Sequence, residues 1–167
     1  MTLDDLNRAD RAAFIAALGH LFEHSPWVVE LAEPQRPFPD AAALHAELCA
    51  GLARAPRERQ LELIRAHPDL AGRLAQLGQL TAASAREQAS AGLNQMTAEE
   101  LARFQQLNAA YRAQFGFPFV ICARLNDRGT IARALEARLH HDAETERQTA
   151  LAEIEKIAWL RLQDILR

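Results

Sequence analysis

The sequence predicts an all-α protein, a single compact domain of roughly seven to nine helices spanning residues 1–167. Three observations lead there. The 167 residues are 49% hydrophobic and 25% charged, which supplies one core and leaves no room for a second catalytic module. Alanine and leucine abound while Val28, Val29 and Val120 are the only valines, a bias toward unbranched, helix-forming side chains. The seven glycines and seven prolines punctuate segments whose apolar residues recur at three- and four-residue steps.

Asp10 is placed to cap a helix whose inward face is Phe14, Ile15, Leu18, Leu21 and Phe22. Ser25-Pro26 reads as a start signal, a hydroxyl cap followed by proline at the first helical position. Three prolines between Pro34 and Pro39 make that stretch an irregular connector, after which Asp40 caps a helix carrying Leu44, Leu48 and Leu52. Pro56 opens the next helix, with Leu61 and Ile64, and Pro68 stops it near His67. A short helix through Leu70, Leu74 and Leu77 is expected between Asp69 and Gly78. Ser84 with Glu87, and Thr97 with Glu100, have the spacing of capping boxes. The second box starts a long helix with Leu101, Phe104, Leu107 and Tyr111 inward, ended by Gly116. Helices over about 130–140 and 143–167 complete the chain. Between them and Gly116, Phe117-Pro118-Phe119-Val120-Ile121-Cys122 is apolar without helical spacing. A buried stretch of that kind must find partners for its peptide groups, and a polar ligand is one source of them.

The net charge of -3, from 19 basic and 22 acidic residues mixed along the chain, excludes the basic stripe of a nucleic-acid binder. Cys49 and Cys122 lie among apolar neighbours and read as buried free thiols of a reducing compartment. No apolar run has membrane-spanning length, and Met1-Thr2-Leu3-Asp4-Asp5 lacks the charge and apolar run of a signal peptide. These features predict a cytoplasmic protein that contacts neither nucleic acid nor membrane.

Three residues stand out for chemistry. His67 ends a helix before a proline, where it is either a dipole-stabilised helix-end residue or a catalytic group. Glu87 is either the third residue of a capping box or a carboxylate facing a ligand beside Ser84 and Gln88. Arg161 falls within the inward stripe Leu151, Ile154, Ala158, Ile165 of the last helix. A guanidinium there demands an anion or several carbonyls, so it is an internal salt bridge or a clamp on a carbonyl-rich ligand. His140 and His141 are adjacent and lack the spacing of a helical metal pair, and His20, His24 and His45 have no evident partners. No phosphate loop, nucleophile elbow or paired-cysteine motif occurs.

Taken together, Ser25-Pro26-Trp27, Ala66-His67-Pro68-Asp69-Leu70-Ala71-Gly72, Ser84 with Glu87-Gln88 and Ala91-Gly92-Leu93 resemble the signature of the OHCU decarboxylase family. The acronym stands for 2-oxo-4-hydroxy-4-carboxy-5-ureidoimidazoline. Asn108, Tyr111, Phe115-Gly116-Phe117-Pro118-Phe119-Val120 and Glu153-Ile154-Glu155-Lys156-Ile157-Ala158 with Arg161-Leu162 continue the resemblance, which runs from Leu3 to Leu166. It implies an all-helical homodimer without cofactor or metal that carries out the last of three steps from urate to allantoin. It implies His67 as the central catalytic residue, and Glu87 and Arg161 as polar groups on the substrate assisted by Ser84 and Gln88. Pro68 is expected to shape the pocket, and the stretch near Phe119 and Ile121 to offer backbone contacts to the ring. Such a substrate holds its own electron sink, an imine-like C5 beside the carbon that loses carbon dioxide, so no prosthetic group is required. Two other readings compete: a helical interaction module without activity, and a lyase or hydrolase acting on another small ureide.

Overall fold

The computed structural model describes residues 1–166 other than 73, 74 and 76. Among them are nine α-helices and no strand, as the composition predicts. The chain divides into two compact units, Met1–Ala66 with Glu155–Arg167, and His67–Ile154.

In the first unit, helix α1 (Leu3–Arg8) opens with a Thr2/Asp5 capping box, a signal the periodicity argument passes over because the helix buries only Leu6. Asp10 caps α2 (Arg11–Leu18) by accepting from the Ala13 N–H at 2.7 Å. Phe14, Leu18, Leu21 and Phe22 are all buried, the last two from the turn after the helix, while Ile15 is half-buried. Helix α3 (Trp27–Ala32) corrects the reading of Ser25: Pro26 is already in helical conformation, and the Ser25 carbonyl, not its hydroxyl, takes the Val28 N–H. The connector holds a single 3-10 turn at Glu33–Gln35 and a cis Arg36-Pro37 bond. It is fastened by a reciprocal amide pair: Asn7 donates to the Phe38 carbonyl and accepts from its N–H, both at 2.9 Å.

Asp40 caps α4 (Ala41–Arg54), which buries Leu44, Leu48 and Leu52 as expected and packs on α3. Helix α5 (Arg57–Arg65) follows Pro56 and stops before His67. Its buried Gln60 donates to the Leu52 carbonyl at 3.0 Å, which also takes the N–H of the capping residue Ala55, and to the Ala53 carbonyl at 3.3 Å, tying α5 to the end of α4.

In the second unit, α6 (Ala82–Ser90) is capped by Thr81, whose hydroxyl accepts from the Ser84 N–H at 3.2 Å. Ser84 is thus the third residue of the helix and not its cap, because the threonine three positions earlier takes that place. The short helix expected between Asp69 and Gly78 depends on Leu74, which lies outside the described residues. Helix α7 (Ala98–Phe115) has the Thr97/Glu100 capping box and ends at Gly116 with φ +75°, a left-handed value that suits glycine. Its buried face is Phe104, Asn108 and Tyr111, with Leu101 and Leu107 only half-buried. Helix α8 (Arg128–Arg138) starts two residues before the expected position because Asp127 caps it, accepting from Thr130 N–H at 2.7 Å. Asp142 holds the first turn of α9 (Ala143–Ile165) through the Thr145 N–H at 2.9 Å. The boundary between the units falls within this last helix.

Phe117–Cys122 is buried throughout and forms neither helix nor strand, as its pattern predicts. A buried ionic network surrounds it. The Glu146 carboxylate, fully buried, receives Arg138 Nε at 3.0 and 3.1 Å and Nη2 at 2.9 Å, the Tyr111 hydroxyl, and His141 Nδ1 at 2.8 Å. Burial, then the bond to Glu146, push the Tyr111 phenol above its ordinary value, so it stays a donor.

Removing one member of such a network strands the other in a medium that cannot solvate it. Glu146→Ala is expected to lose about 3–5 kcal/mol in a urea melt. A loss below about 1 kcal/mol, the scale of an exposed pair, would contradict the burial of this charge.

Candidate active site

The site builds from three pieces of the second unit. The first is the loop after α5. His67 is only 7% exposed, more deeply buried than its helix-end position suggests, and Pro68 beside it is half-buried. The loop is pinned on both sides: Asn108 Nδ2 on α7 donates to the Leu70 carbonyl at 2.8 Å, and Arg112 pairs with Asp69 at 3.0 Å. Ala71 holds a left-handed φ of +49°, costly for a residue with a side chain, and its N–H donates to Gln88 Oε1 at 2.9 Å. At Gly72 a Cβ would stand 2.7 Å from that of Asp69, so only glycine fits the turn.

The second piece is one face of α6. Ser84 and Gln88, four residues apart, are both buried on it, and Glu87 beside them is half-buried. With Thr81 as the cap, Glu87 does not have the capping-box role that competed with a functional one. Gln88, expected on the substrate, spends its amide oxygen on holding Ala71.

The third piece is the non-helical segment. Side chains serve three of its peptide groups, on Val120 and Cys122. The Val120 carbonyl accepts from Arg138 Nη1 at 2.8 Å, and the Cys122 N–H donates to Glu153 Oε2 at 2.8 Å. The Cys122 carbonyl accepts from Asn126 Nδ2 at 2.9 Å. For the peptide groups of Phe119 and Ile121 no hydrogen bond is made among the described residues. The turn that follows, Ala123–Leu125, packs on α6. Burial, then the carboxylates of Glu153 and Glu87, push the Cys122 thiol up. The thiol is therefore protonated at neutral pH, as is that of half-buried Cys49, pushed up to about 12 chiefly by burial.

In the first unit, Arg161 lies buried on α9, as its place in the stripe predicts, with a carboxylate for a partner. Its Nη1 donates to Glu23 Oε2 at 3.2 Å and to the carbonyls of His20 and Leu21, each at 3.3 Å. The pair is 6% and 3% exposed. Burial, then the Arg161 guanidinium, hold the His20 imidazole below its ordinary value. His45 also has partners the sequence does not reveal: its Nε2 is 2.9 Å from the Glu155 carbonyl and its ring lies 5.1 Å from that of Trp159.

Glu23, Arg138 and Glu146 are absent from the sequence motifs, and Asn108 and Glu153 stand in them without an assigned role. Arg138 and Glu146 had a readable signal, since each continues an inward stripe, Ile131-Leu135-Arg138 on α8 and Glu146-Ala150-Ile154 on α9. Glu23 follows Phe22 in a turn, where no periodicity marks its direction.

A helical protein that buries a histidine, an amide and a hydroxyl and leaves peptide groups of a non-helical segment without bonds among the described residues has the donors and acceptors that a small polar molecule uses. Residues 7–163 match the family model for OHCU decarboxylase, and the chain belongs to that family. It is 43% identical over 164 residues to the 2-oxo-4-hydroxy-4-carboxy-5-ureidoimidazoline decarboxylase of Haloferax volcanii, covering 98% of this chain and 95% of that one. It is 44% identical to the mouse (Mus musculus) protein of the same name, covering 99% and 93%. Among solved structures, that of an (S)-allantoin synthase superposes with a TM-score of 0.81 at 32% identity, covering all of this chain and 54% of that one. A structure of OHCU decarboxylase in the presence of (S)-allantoin, 21% identical, shares the fold with a TM-score of 0.72 over 92% of this chain and 96% of that one.

The Arg161–Glu23 pair sets a stability test. Arg161→Leu strands the Glu23 carboxylate and is expected to lose about 3–5 kcal/mol by urea melt. Arg161→Leu with Glu23→Leu removes both charges and is expected to recover at least half of the loss. A single variant as stable as the parent would show that the pair contributes nothing.

Proposed function

We propose that the chain decarboxylates 2-oxo-4-hydroxy-4-carboxy-5-ureidoimidazoline to (S)-allantoin, the last step of urate-to-allantoin conversion. The observation that carries this reading is the buried His67 loop, held by Gln88 of the α6 face that also bears Ser84 and Glu87, in a chain of this family.

The chemistry follows from the substrate. C4 carries a hydroxyl and the departing carboxylate, and C5 is an imine carbon bearing the ureido group. When the C4–carboxylate bond breaks, its electron pair becomes the C4=C5 bond and the imine pair moves onto nitrogen, which takes a proton. Carbon dioxide leaves. The C4 hydroxyl then gives up its proton as the C4 carbonyl forms, and C5 takes a proton on one face, which fixes the S configuration. The electron sink is internal, so we infer a reaction without cofactor or metal.

The protein's task is to hold the carboxylate out of the ring plane, polarise the C4 hydroxyl and confine protonation to one face. We assign His67 to the C4 hydroxyl, as hydrogen-bond partner or base. Glu87, with Ser84 and Gln88, is assigned to ureido and ring nitrogens, and Arg161 to ring or ureido oxygens. Pro68 shapes the pocket wall beside His67. Phe119 and Ile121 offer peptide groups to the ring amides, which fits their lack of protein partners among the described residues. A cytoplasmic homodimer completes the reading. Among the described residues no helix is long and apolar enough to cross a membrane.

The test uses substrate freshly made from urate by urate oxidase and the hydrolase of the second step, followed by circular dichroism. The parent is expected to give (S)-allantoin well above the spontaneous rate, and folded His67→Asn to lose about a hundredfold or more, the scale of a missing acid or base. Near-parental turnover by His67→Asn would remove His67 from the mechanism. Spontaneous-rate, racemic product from the parent would refute the assignment altogether.

A further inference from the structure

Arg138 does three things to the segment that carries Phe119 and Ile121. Its Nη1 donates to the Val120 carbonyl at 2.8 Å, its plane lies 4.4 Å over the Phe119 ring, and its other edge is held by the Glu146 carboxylate. The guanidinium is 8% exposed and the carboxylate 0%, so water cannot replace either contact. The Tyr111 hydroxyl and His141 Nδ1 fix the same carboxylate from other sides, and the Tyr111 ring meets Phe119 edge-on at 5.4 Å. A planar fork serves a carbonyl and a carboxylate on separate edges while its face covers a ring, and an ammonium does not.

The consequence falls on the neighbouring residues. Val120 and Cys122 are fixed by Arg138, Glu153 and Asn126. Phe119 and Ile121 alternate with them along the chain, and their peptide groups make no hydrogen bond to the described residues. We propose that Arg138 is a positioning residue for the reaction. By gripping Val120 and covering Phe119, it sets the height and tilt of the Phe119/Ile121 peptide edge that receives the substrate ring. The substrate never touches Arg138. This inference rests on the functional reading above and names a residue that reading does not use.

The test removes the network as a unit. The triple variant Arg138→Met, Glu146→Leu, Tyr111→Phe leaves no stranded charge or hydroxyl donor and keeps the volume apolar. It is expected to fold, to exchange the amide hydrogens of Phe119 and Ile121 at least tenfold faster than the parent, and to lose about a hundredfold in kcat/KM, the scale of a misplaced substrate. Arg138→Lys, which keeps a charge opposite Glu146, is expected to fold and show a smaller loss of the same kind. A folded triple variant with parental kcat/KM overturns the proposal. Should the triple variant not fold, folded Arg138→Lys decides: parental exchange and kcat/KM overturn the proposal, and faster exchange with reduced kcat/KM supports it. A parent without decarboxylase activity sinks the functional reading and this inference with it, whereas an active parent beside an equally active variant sinks the inference alone.

Discussion

A helical protein that interrupts itself with six buried apolar residues has peptide groups to satisfy and no sheet to satisfy them. This is the constraint on which the second unit depends. The solution is to bring charged side chains to the backbone: Arg138 to the Val120 carbonyl, Glu153 to the Cys122 N–H. A buried guanidinium then needs its own counter-charge, which is why Glu146 is buried beside it, and Glu146 in turn orders Tyr111 and His141. The cost of desolvating these charges is offset only because every contact is made at once. The first unit meets a similar demand with Arg161, Glu23 and the carbonyls of His20 and Leu21. Helix α9 supplies the acid of one pair and the arginine of the other.

The same economy explains how a reaction of this kind runs on ordinary side chains. In the proposed reaction the substrate provides the electron sink, and the protein is left to contribute position and proton control. Position comes from rigid parts. The His67 loop is locked by Asn108, Arg112 and Gln88, and it tolerates a left-handed Ala71 because Gln88 holds that residue's N–H. A residue such as Gln88 can serve both the scaffold and the ligand, since an amide has two ends. Its oxygen is committed to Ala71.

Much of the helical skeleton was legible because local chemistry decides it. Asp10, Asp40, Thr97 and Gly116 act at the helix ends where their side chains or conformational freedom put them. Arg161 was legible as an inward charge because a long helix reports its faces through period alone. The partner was not, since Glu23 reaches Arg161 from 138 residues away in sequence and from a turn without periodicity. Ser84 was misplaced by three residues because two hydroxyls, Thr81 and Ser84, compete for one cap, and the pattern Ser84-Glu87 is the stronger signal on paper. Ser25 failed for a related reason, its carbonyl taking the donor that its hydroxyl was expected to take. The non-helical segment was visible as a break in period, and its need for partners followed. That the side chains of Arg138, Glu153 and Asn126 meet part of that need, at Val120 and Cys122, is a fact of tertiary packing that no local pattern encodes.

The most direct measurement is a titration of (S)-allantoin into the isotopically labelled protein, read at the backbone amides of residues 119–122. Saturable shifts are expected at Phe119 and Ile121, whose N–H groups make no bond among the described residues, and a much smaller response at Cys122, whose N–H is committed to Glu153. Shifts confined to other parts of the chain, or equal along the whole segment, would contradict this expectation.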